Sequence, residues 1–598
     1  MCGIVAATGE ASIELVERVV DAMHHRGPDA QGTFAVGALA IGMTRLAVMD
    51  PASRSNQPMQ RGELVVVYNG ELYNYRELRS ERVAMGVTFL TEGDTEVVVN
   101  AIATWGAHGA ATRFSGMFAF VAVDVRSQTM WIARDRFGIK PLYWATRQNG
   151  GITVCSEARH LSVANGESVD ELAIAEFLRF GSAITRTSFR DVLEFAPGTV
   201  LEVRDGLLQQ SRFAAEVDLG DEPTGDAPAA LRRSIEQHLS ADRDVALWLS
   251  GGFDSAILLA AARDVGRDAI ALTLATGTND AEIARAVQTA KHFGVRHEIV
   301  HADTKFVASA LPGFFAAMDQ PSIDGFNTYL MSRATQARGC AVAISGLGGD
   351  EVLGGYGYYR SRPVFDTAAR VVRALPGAAK RRVVQHVARK LQQPPQRLAE
   401  MIQYDDLAGR HAASRTLFSS DEVFSLMGTG AARGEASPNV SDRIALARLD
   451  FDRYLRPTLL RDSDVFSMAC SVELRVPMLD PLFVGSVLRA AQPPSKTVLA
   501  NAWNDSYLRD LAVAPKLTFA MPWTKWIHPI LHDQRDRLAS TAPWGRLIDA
   551  NVARSLSAQT LATPHDTLLR VWALVVLANW HDRVIEGATD TVVWRSAA

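Results

Sequence analysis

The sequence predicts a β-rich α+β domain followed by an α/β domain with a parallel sheet and a helical C-terminal part. Residues 1–212 alternate short β-rich runs with turn signals. From about residue 231, apolar strands alternate with helices, which is the pattern of a parallel sheet. After about residue 360 the pattern becomes mostly helical. We therefore place the domains at 1–213 and 231–598, joined by an acidic, Pro- and Gly-bearing linker at 214–230.

Composition argues against several classes of protein. The chain has 598 residues, of which 47% are hydrophobic and 21% charged, and a net charge of −4. This charge gives no reason to expect nucleic acid or an anionic membrane as the main partner. The four unevenly spaced cysteines form neither a disulfide framework nor a zinc pattern. The N-terminus lacks a signal-peptide pattern, and the apolar stretch 568–580 is too short to cross a bilayer, so we expect a core helix there and a cytoplasmic protein.

The strands of the first domain are predicted by runs rich in β-branched and aromatic residues. The clearest runs are ELVVVYNGEL (63–72), GMFAFVAVDV (116–125) and TMWIARD (129–135). Among the turn signals of this domain is the pair Asn69-Gly70.

Cys2 follows the initiator methionine in the opening run MCGIVAATGE. Removal of Met1 would give one residue both a thiol and an α-amino group, and that group titrates near pH ~8. The amine can then take the thiol proton, as in enzymes with an N-terminal nucleophile. The alternative is a small apolar residue on a β-strand, and these ten residues do not decide between the two.

The stretch LWLSGGFDSAILL (247–259) is the strongest local signal. A buried strand ends before Ser250-Gly251-Gly252, and Ser255 begins a helix. Glycines let the backbone approach an anion, and hydroxyl and N–H groups at a helix start bind phosphate. The loop is neither a Walker A loop nor a dinucleotide GxGxxG. It resembles the SGGxDS pyrophosphate loop of the N-type ATP pyrophosphatases, which split ATP into AMP and pyrophosphate.

A second glycine-rich segment, AVAISGLGGDEVLGGY (341–356), also follows a buried strand. In a parallel sheet both loops open at the carboxyl ends of their strands, where ligands bind. Asp254 of the first loop and Asp350 of the second could then hold Mg²⁺ against the pyrophosphate, because hard oxygen ligands suit that ion.

Longer motifs resemble one known family over nearly the whole chain, in matching order. MCGI, HHRGPD (24–29), TRL (44–46), YNGELYN (68–74), EGDTE (92–96) and RDRFGIKPLY (134–143) are similar to class II glutamine amidotransferase domains. SGGFDS, SGLGGDE and SMACSVELRVPMLD (467–480) are similar to the synthetase domain of asparagine synthetases. The resemblance implies a four-layer glutaminase of the N-terminal-nucleophile type, followed by an ATP pyrophosphatase domain. It also favours the nucleophile interpretation of Cys2.

The resemblance implies roles for six residues of the first domain. Cys2 would attack the side-chain carbonyl of glutamine and become a γ-glutamyl thioester. Asn69 and the backbone N–H of Gly70 would form the oxyanion hole. Arg45 would bind the α-carboxylate of glutamine. Its α-ammonium would be received by Glu71 and Asp94.

In the second domain the resemblance implies that ATP activates a carboxylate as an acyl-adenylate, which ammonia from glutamine converts to an amide. The residues expected to bind ATP and pyrophosphate are Ser250, Gly251, Gly252, Asp254, Ser255 and Gly346. Lys516, in APKLTFAMPWTKWI, would lie near the phosphates. Asp324, in DQPSIDGFNTYLMSR, either lines the acceptor region or only forms a turn.

Three features depart from the family pattern or remain open. Leu347 stands where asparagine synthetases carry a Glu thought to transfer protons during ammonia attack. Leucine can neither accept nor donate a proton. Cys470 stands where many relatives have His, and we interpret it as a buried small residue. The basic span 370–397 is either a solvated helical face or a docking surface for a large anionic acceptor.

The function that this pattern favours is synthesis of asparagine from aspartate, glutamine and ATP, with Mg²⁺. The alternatives are amidation of another carboxylate, such as a cell-wall or secondary-metabolite precursor, and an intramolecular amide-forming cyclase. Retention of the glutaminase residues argues against the cyclase. A non-catalytic regulator that binds ATP or glutamine is disfavoured by the intact SGGFDS loop. The oligomeric state stays open, with a homodimer as one candidate.

Overall fold

The computed structural model contains both kinds of sheet that the sequence predicts. It describes residues 2–10, 12–147, 150–161, 169–214, 226–267, 269–277, 280–356, 369–391, 395–404, 406–428, 442–490, 495–515, 517, 522, 526, 547–549, 551–553, 555 and 568–585. Within the predicted linker at 214–230, residues 215–225 lie outside these ranges, and a helix begins at Ala227.

The described residues of the first domain form two six-stranded antiparallel sheets. The strands are β1 (Cys2–Thr8), β2 (Ala30–Val36), β3 (Leu39–Arg45), β4 (Met59–Arg61), β5 (Leu64–Leu72), β6 (Gly116–Asp124), β7 (Thr129–Arg134), β8 (Tyr143–Thr146), β9 (Ile152–Cys155), β10 (Val192–Glu194), β11 (Thr199–Arg204) and β12 (Leu207–Arg212). The sheet orders are β10-β8-β9-β1-β3-β2 and β12-β11-β7-β6-β5-β4. The helices are α1 (Ser12–Ala22), α2 (Tyr75–Ala84), α3 (Asp94–Arg113) and α4 (Glu171–Phe180).

These elements stack in four layers. Cys2, Val67 and Val121 belong to an apolar core between the two sheets. Helix α1 packs on the outer side of the first sheet, against β1 and β3, and α2 and α3 cover the outer side of the second. Apolar residues on both faces of the strands therefore bury each sheet between a helix layer and the other sheet. The predicted four-layer fold class is confirmed.

The turn predicted at Asn69-Gly70 is wrong. Both residues lie inside β5, where Asn69 pairs with Ala119 and Gly70 with Phe118 of β6. Glycine is required because the neighbouring strand approaches closely: a Cβ on Gly70 would lie 2.1 Å from Met117 O. The Asn-Gly pair marks this approach of two strands rather than a hairpin.

The second domain is built on a parallel sheet, as predicted. Its strands are β13 (Val245–Trp248), β14 (Ile270–Ala275), β15 (His297–His301), β16 (Val342–Ile344) and β17 (Glu473–Arg475), in the order β15-β14-β13-β16-β17. The helices around it are α5 (Ala227–His238), α6 (Phe253–Asp264), α7 (Asp280–Phe293), α8 (Thr304–Ala317), α9 (Phe326–Gln336) and α10 (Gly349–Leu353). Because all four strand pairs are parallel, the segments after β13 and β16 leave the sheet at the same edge.

The C-terminal part is helical, as predicted. The helices are α11 (Gly377–Leu391), α12 (Pro395–Gln403), α13 (Leu407–Ser414), α14 (Ser420–Met427), α15 (Asp442–Asp450), α16 (Arg461–Met468), α17 (Pro481–Leu488), α18 (Lys496–Ala502), α19 (Ser506–Val513) and α20 (Leu568–Trp580). Helix α20 is the predicted core helix: Trp572 and Trp580 are completely buried, and their indole N–H groups donate to backbone carbonyls of Ile323 and Asp319. No helix in the described ranges is long and apolar enough to span a membrane.

A buried ion network joins the two domains. Arg475, the last residue of β17, is completely buried, and its Nη2 donates to Glu71 Oε2 of β5 at 2.9 Å. Its Nε donates to Glu473 Oε1 at 2.5 Å. Its Nη1 donates to the backbone carbonyls of His238 and Ser240. The strand that carries Asn69 is therefore fixed to the second domain through one guanidinium group.

Replacing Arg475 with methionine should lower the free energy of unfolding by about 3–5 kcal/mol, because two buried carboxylates lose the guanidinium that neutralises them. Urea unfolding measures this loss. The matched control is Arg204→Met, since Arg204 is 52% exposed and lies 3.7 Å from Glu202. Loss of this exposed pair should cost less than about 1 kcal/mol. Equal losses in the two variants would contradict the structural role of Arg475.

Candidate active sites

The first site is built around Cys2, the first residue of β1. Strand β1 lies between β9 and β3, so Cys2 is buried between the two sheets. Its backbone nitrogen donates a hydrogen bond to Asn69 Oδ1 at 3.0 Å. Burial raises the pKa of the Cys2 thiol, although the Leu46 N–H and the Arg45 charge act in the opposite direction. The thiol is therefore protonated near neutral pH and needs a base to become a nucleophile.

Asn69 presents an unused donor beside Cys2. Its Oδ1 accepts the bond from Cys2, while its buried Nδ2 has no hydrogen-bond partner among the residues that the structure describes. Leaving a buried donor unsatisfied costs about 1–3 kcal/mol, so its retention points to a ligand. An oxyanion formed when Cys2 attacks a carbonyl would supply the missing acceptor.

Replacing Gly70 with alanine should reduce glutamine hydrolysis at least about a hundredfold, because the new Cβ pushes β5 away from β6 and displaces the oxyanion donors. The clash is with backbone, 2.1 Å from Met117 O, and no side-chain rotation relieves it. Glutamine hydrolysis and thermal unfolding are measured on the same preparation. The control is Gly485→Ala in α17, where nothing lies within 4 Å of the added Cβ. That variant should keep full hydrolysis and gain about 0.5–1 kcal/mol in stability. Full activity of the Gly70 variant would contradict the account.

Near this site lie the three side chains predicted to bind the charged groups of glutamine, and each already has a partner within the protein. Arg45 donates to the backbone carbonyls of Met49, Asp50 and Ala52 and to Asn56 Oδ1, so it fixes the loop after β3. Asp94 Oδ2 accepts the Leu72 N–H at 3.0 Å, and burial raises the pKa of this carboxyl. Glu71 is paired with Arg475 of the second domain. Their contacts with glutamine stay predictions.

The second site begins at the loop after β13. Ser250 and Ser255 fold this loop back on itself: their hydroxyl oxygens lie 3.0 Å apart, and the Ser250 N–H donates to Ser255 Oγ. Gly252 is the N-cap residue of α6, so the loop leads directly into a helix N-terminus. A Cβ on Gly251 would lie 2.8 Å from the Glu282 carbonyl oxygen, which explains glycine there. This local geometry suits a phosphate group.

The structure brings the second glycine-rich loop directly against the first. A Cβ on Gly346 would lie 3.3 Å from Asp254 Cβ, and one on Gly349 would lie 3.0 Å from Asp254 Cγ. Gly348 has a φ of +87°, and a side chain there would meet Leu479 at 2.6 Å. The absence of side chains at these three glycines therefore lets Asp254 and Asp350 lie close together.

Lys496 joins these two carboxylates and was not identified from the sequence. Its Nζ donates to Asp254 Oδ2 at 2.7 Å and to Asp350 Oδ1 at 3.0 Å. Burial lowers the pKa of Lys496, but the two carboxylates outweigh that effect and raise it above its ordinary value. No local motif surrounds this lysine, and it lies 242 residues from Asp254, so its position depends on the tertiary fold. The lysine that we predicted at the phosphates, Lys516, lies outside the described residues.

The donor set fits Mg²⁺ and phosphate. Two carboxylates are a common protein contribution to magnesium sites that phosphate and water oxygens complete. No group of three or more His, Cys, Asp or Glu side chains suited to a metal occurs in the described part of the chain, so other oxygens would have to complete this site. A metal between Asp254 and Asp350 would replace the Lys496 ammonium, which could then pair with phosphate.

A cavity of about 140 Å³ lies beside the second glycine-rich loop. Among its lining residues are Trp248 at the end of β13, and Ser345 and Leu347 after β16. Asp324 lines this cavity and also a much larger one, of about 1480 Å³, which extends between the two domains. Asp324 therefore lies where the two cavities meet. Its side chain also accepts the Gly325 N–H at 2.8 Å. Its predicted place in the acceptor region stays a prediction.

Helix α16 connects the two sites. Asp464 Oδ2 accepts from Arg26 Nη2 at 2.6 Å, and Arg26 Nε donates to the backbone carbonyl of Cys2 at 3.2 Å. Asp462 and Ser463, in the same helical turn, line the small cavity. One turn of helix, about 5.4 Å along its axis, thus carries contacts to both sites.

Cys470 and the basic span 370–397 are consistent with the structural interpretations given above, a buried small residue and a solvated helical face. Cys470 is buried, and burial raises the pKa of its thiol to about 12, so it is a poor nucleophile. In the basic span, α11 turns Val384 and Ala388 inward and leaves Arg382 and Arg389 exposed. This is the arrangement of a solvated helical face.

Comparisons with known proteins agree with both halves of the chain. The glutamine amidotransferase domain family matches residues 1–214, and the asparagine synthase family matches residues 227–582. A Mycobacterium tuberculosis protein with the provisional name asparagine synthetase (glutamine-hydrolyzing) is 30% identical, over 98% of both chains. Asparagine synthetase (glutamine-hydrolyzing) 1 of Bacillus subtilis is 25% identical, over 98% of this chain and 97% of that protein.

More distant similarities cover part of the chain. Amidase chyE of Penicillium rubens is 28% identical over 58% of this chain and 56% of its own length. Among solved structures, glutamine phosphoribosylpyrophosphate amidotransferase of B. subtilis is 18% identical, covers 50% of this chain and 65% of its own, and has a TM-score of 0.29. The full-length matches and the two family matches together establish that this chain belongs to the asparagine synthase family, as a glutamine-hydrolysing amidotransferase of the ligase class.

Proposed function

We propose that the protein uses ATP and glutamine to convert aspartate to asparagine through an acyl-adenylate, releasing AMP, pyrophosphate and glutamate. Residues 1–213 form the glutaminase and 231–598 the synthetase. The observation that carries the proposal is helix α16, whose first turn contacts Arg26 of the Cys2 site and lines the cavity beside the second glycine-rich loop. We expect ammonia to pass from one site to the other inside the protein.

In the glutaminase half, removal of Met1 turns the nitrogen of Cys2 into an amine. This amine takes the thiol proton, and the sulfur attacks the amide carbon of glutamine. Asn69 Nδ2 and the Gly70 N–H donate to the oxyanion, which collapses to the thioester and expels ammonia with the returned proton. Water then releases glutamate. Arg45 binds the α-carboxylate of glutamine, and Glu71 and Asp94 receive its α-ammonium.

In the synthetase half, bound ATP and Mg²⁺ supply an electrophilic phosphorus and a leaving pyrophosphate. Ser250, Ser255 and the N-terminus of α6 would bind the phosphates, and Asp254 and Asp350 would hold the metal. Lys496 would then pair with phosphate instead of with the carboxylates. This exchange keeps the local charge nearly balanced before and after binding, which lowers the cost of keeping two carboxylates close together.

The test is pyrophosphate release by the purified protein with ATP, Mg²⁺ and glutamine, with and without aspartate, with asparagine measured in the same tubes. We expect aspartate-dependent pyrophosphate and an equal amount of asparagine. Glutamate in place of aspartate is the control, because its chain is longer by one methylene. Glutamine hydrolysis without aspartate-dependent pyrophosphate would overturn aspartate as the acceptor and retain the glutaminase.

A second candidate acceptor is a larger carboxylic acid. It is favoured by the cavity of about 1480 Å³, which adjoins the small cavity at Asp324 and Asn327 and far exceeds the needs of aspartate. The similarity to an amidase of a fungus is consistent with acceptors other than aspartate. Pyrophosphate release that depends on peptides with a free side-chain carboxylate, but not on aspartate, would support this candidate.

A further inference from the structure

Amide formation from an acyl-adenylate needs a proton acceptor, and we place this step in the small cavity, which is lined by Ser345 and Leu347 of the second glycine-rich loop. When ammonia adds to an acyl-adenylate, the nitrogen must lose a proton before a neutral amide can form. Leu347, in the loop that follows β16, lines this cavity. A hydrocarbon side chain cannot accept a proton. Among the described residues that line the cavity, two carry titratable groups, Asp324 and Asp462.

Asp462 is already engaged on both oxygens. Its Oδ2 accepts from Ser322 Oγ, and its Oδ1 accepts from Nε and Nη2 of Arg461 at 3.2 Å each. The residue is buried, with 4% exposure. Burial raises the pKa of Asp462 to about 6, with Arg461 opposing and the negative charge of Asp324 adding to the rise. Asp462 therefore anchors the start of α16, and its carboxylate has little capacity to accept a hydrogen bond from a further donor.

Asp324 is placed differently. Its Oδ1 accepts the Gly325 N–H at 2.8 Å, and the described residues make no further hydrogen bond to its carboxylate. Its backbone is held from both sides: its own N–H donates to Ser322 Oγ, and the Ile323 carbonyl accepts from the Trp572 indole. Burial raises the pKa of Asp324, which makes its carboxylate a stronger base than an exposed one. The carboxylate is thus held at the cavity wall through Oδ1, and Oδ2 remains available to accept a proton.

We propose that Asp324 is the general base that removes the proton from ammonia as it attacks the acyl-adenylate, a role that rests on the proposed adenylation chemistry. The nitrogen lone pair forms the new C–N bond while the carbonyl π pair moves to oxygen. Asp324 takes one proton from nitrogen. The oxygen pair then re-forms the carbonyl, the bond to the AMP oxygen breaks, and AMP leaves with that electron pair.

Asp324→Asn and Asp324→Ala separate this role from that of a turn former. Asparagine keeps the oxygen that accepts the Gly325 N–H and loses the base, whereas alanine loses both. Each variant is assayed for aspartate-dependent exchange of labelled pyrophosphate into ATP, which reports adenylation. Each is also assayed for asparagine formation from aspartate and ammonium chloride, which adds the amidation step.

We expect both variants to keep exchange within about threefold of wild type and to lose asparagine formation about a hundredfold or more, the range of general-base contributions. In a folded Asp324→Asn/Leu347→Glu variant, a carboxylate returns at another residue that lines the cavity, and at least about tenfold of that loss should be recovered. The control Asp462→Asn should lower the melting temperature and reduce both assays in parallel.

Three outcomes would overturn the proposal. One is an Asp324→Asn variant with wild-type asparagine formation, which would leave only the turn role. Another is parallel loss of exchange and amidation, or a rise in the KM for aspartate at unchanged kcat, either of which would make Asp324 an acceptor-binding residue. The last is no recovery in the folded double variant. Failure of the wild-type protein to exchange pyrophosphate at all would instead contradict the proposed function.

Discussion

Replacing Cys2 with alanine is expected to abolish glutamine-dependent asparagine synthesis while leaving ammonium-dependent synthesis within about twofold of wild type. The sulfur is the nucleophile, and loss of such a group typically costs about 10³-fold or more in rate. The synthetase site takes its ammonia from the medium when ammonium is supplied, so it does not need Cys2. Removal of one sulfur atom leaves only a small cavity between the two sheets, so the alanine variant should still fold.

The measurement is asparagine formation by the same preparation with glutamine and, separately, with ammonium chloride. Cys340→Ala is the matched control, because Cys340 is also a buried free cysteine but lies next to β16, away from the glutaminase sheets. The control should retain both activities. Glutamine-dependent synthesis by the Cys2 variant, or its selective loss in the Cys340 variant, would contradict the assignment of the nucleophile.

The second large effect is expected from Asp350→Asn, which should abolish aspartate-dependent pyrophosphate exchange by at least about 10³-fold, since a metal contributes several kcal/mol to such a step. Asparagine is a poor magnesium ligand and leaves Lys496 paired with Asp254 alone. Glutamine hydrolysis by this variant should persist, because the Cys2 site lies in the other domain.

Pyrophosphate exchange and glutamine hydrolysis are measured side by side across a range of Mg²⁺ concentrations. Asp264→Asn, at the end of α6, is the control: this carboxylate pairs with Arg263 at the surface and should tolerate the change. If the Asp350 variant keeps wild-type exchange at low Mg²⁺, the metal lies elsewhere.

The sequence was most informative where a function depends on a short stretch of backbone. The SGGFDS loop and the helix that follows it are determined by glycines and hydroxyls within six residues, and the predicted order of strand, turn and helix is confirmed, although the helix begins at Phe253 rather than at Ser255. The helix at 568–580 could be predicted because its apolar character is continuous. The Asn69-Gly70 turn was wrong because local propensity indicated a hairpin, whereas the close approach of β6 requires glycine inside a strand.

Contacts between distant residues could not be predicted from one sequence. Lys496 lies 242 residues from Asp254, and Arg475 lies 404 residues from Glu71. Neither has a local pattern that distinguishes it from a solvated cation. The pairing of Glu71 with Arg475 also shows that a side chain assigned to glutamine by resemblance has a second partner across the domain boundary. Such partners become visible only when the sheets and helices are assembled.

The acyl-adenylate is tested most directly by the fate of oxygen. Aspartate labelled with ¹⁸O in its side-chain carboxylate is incubated with the protein, ATP, Mg²⁺ and glutamine, and the products are analysed by mass spectrometry. If the carboxylate attacks the α-phosphorus and ammonia then displaces AMP, each AMP carries one ¹⁸O and pyrophosphate carries none. Label in pyrophosphate or phosphate, or asparagine formed with unlabelled AMP, would contradict the account.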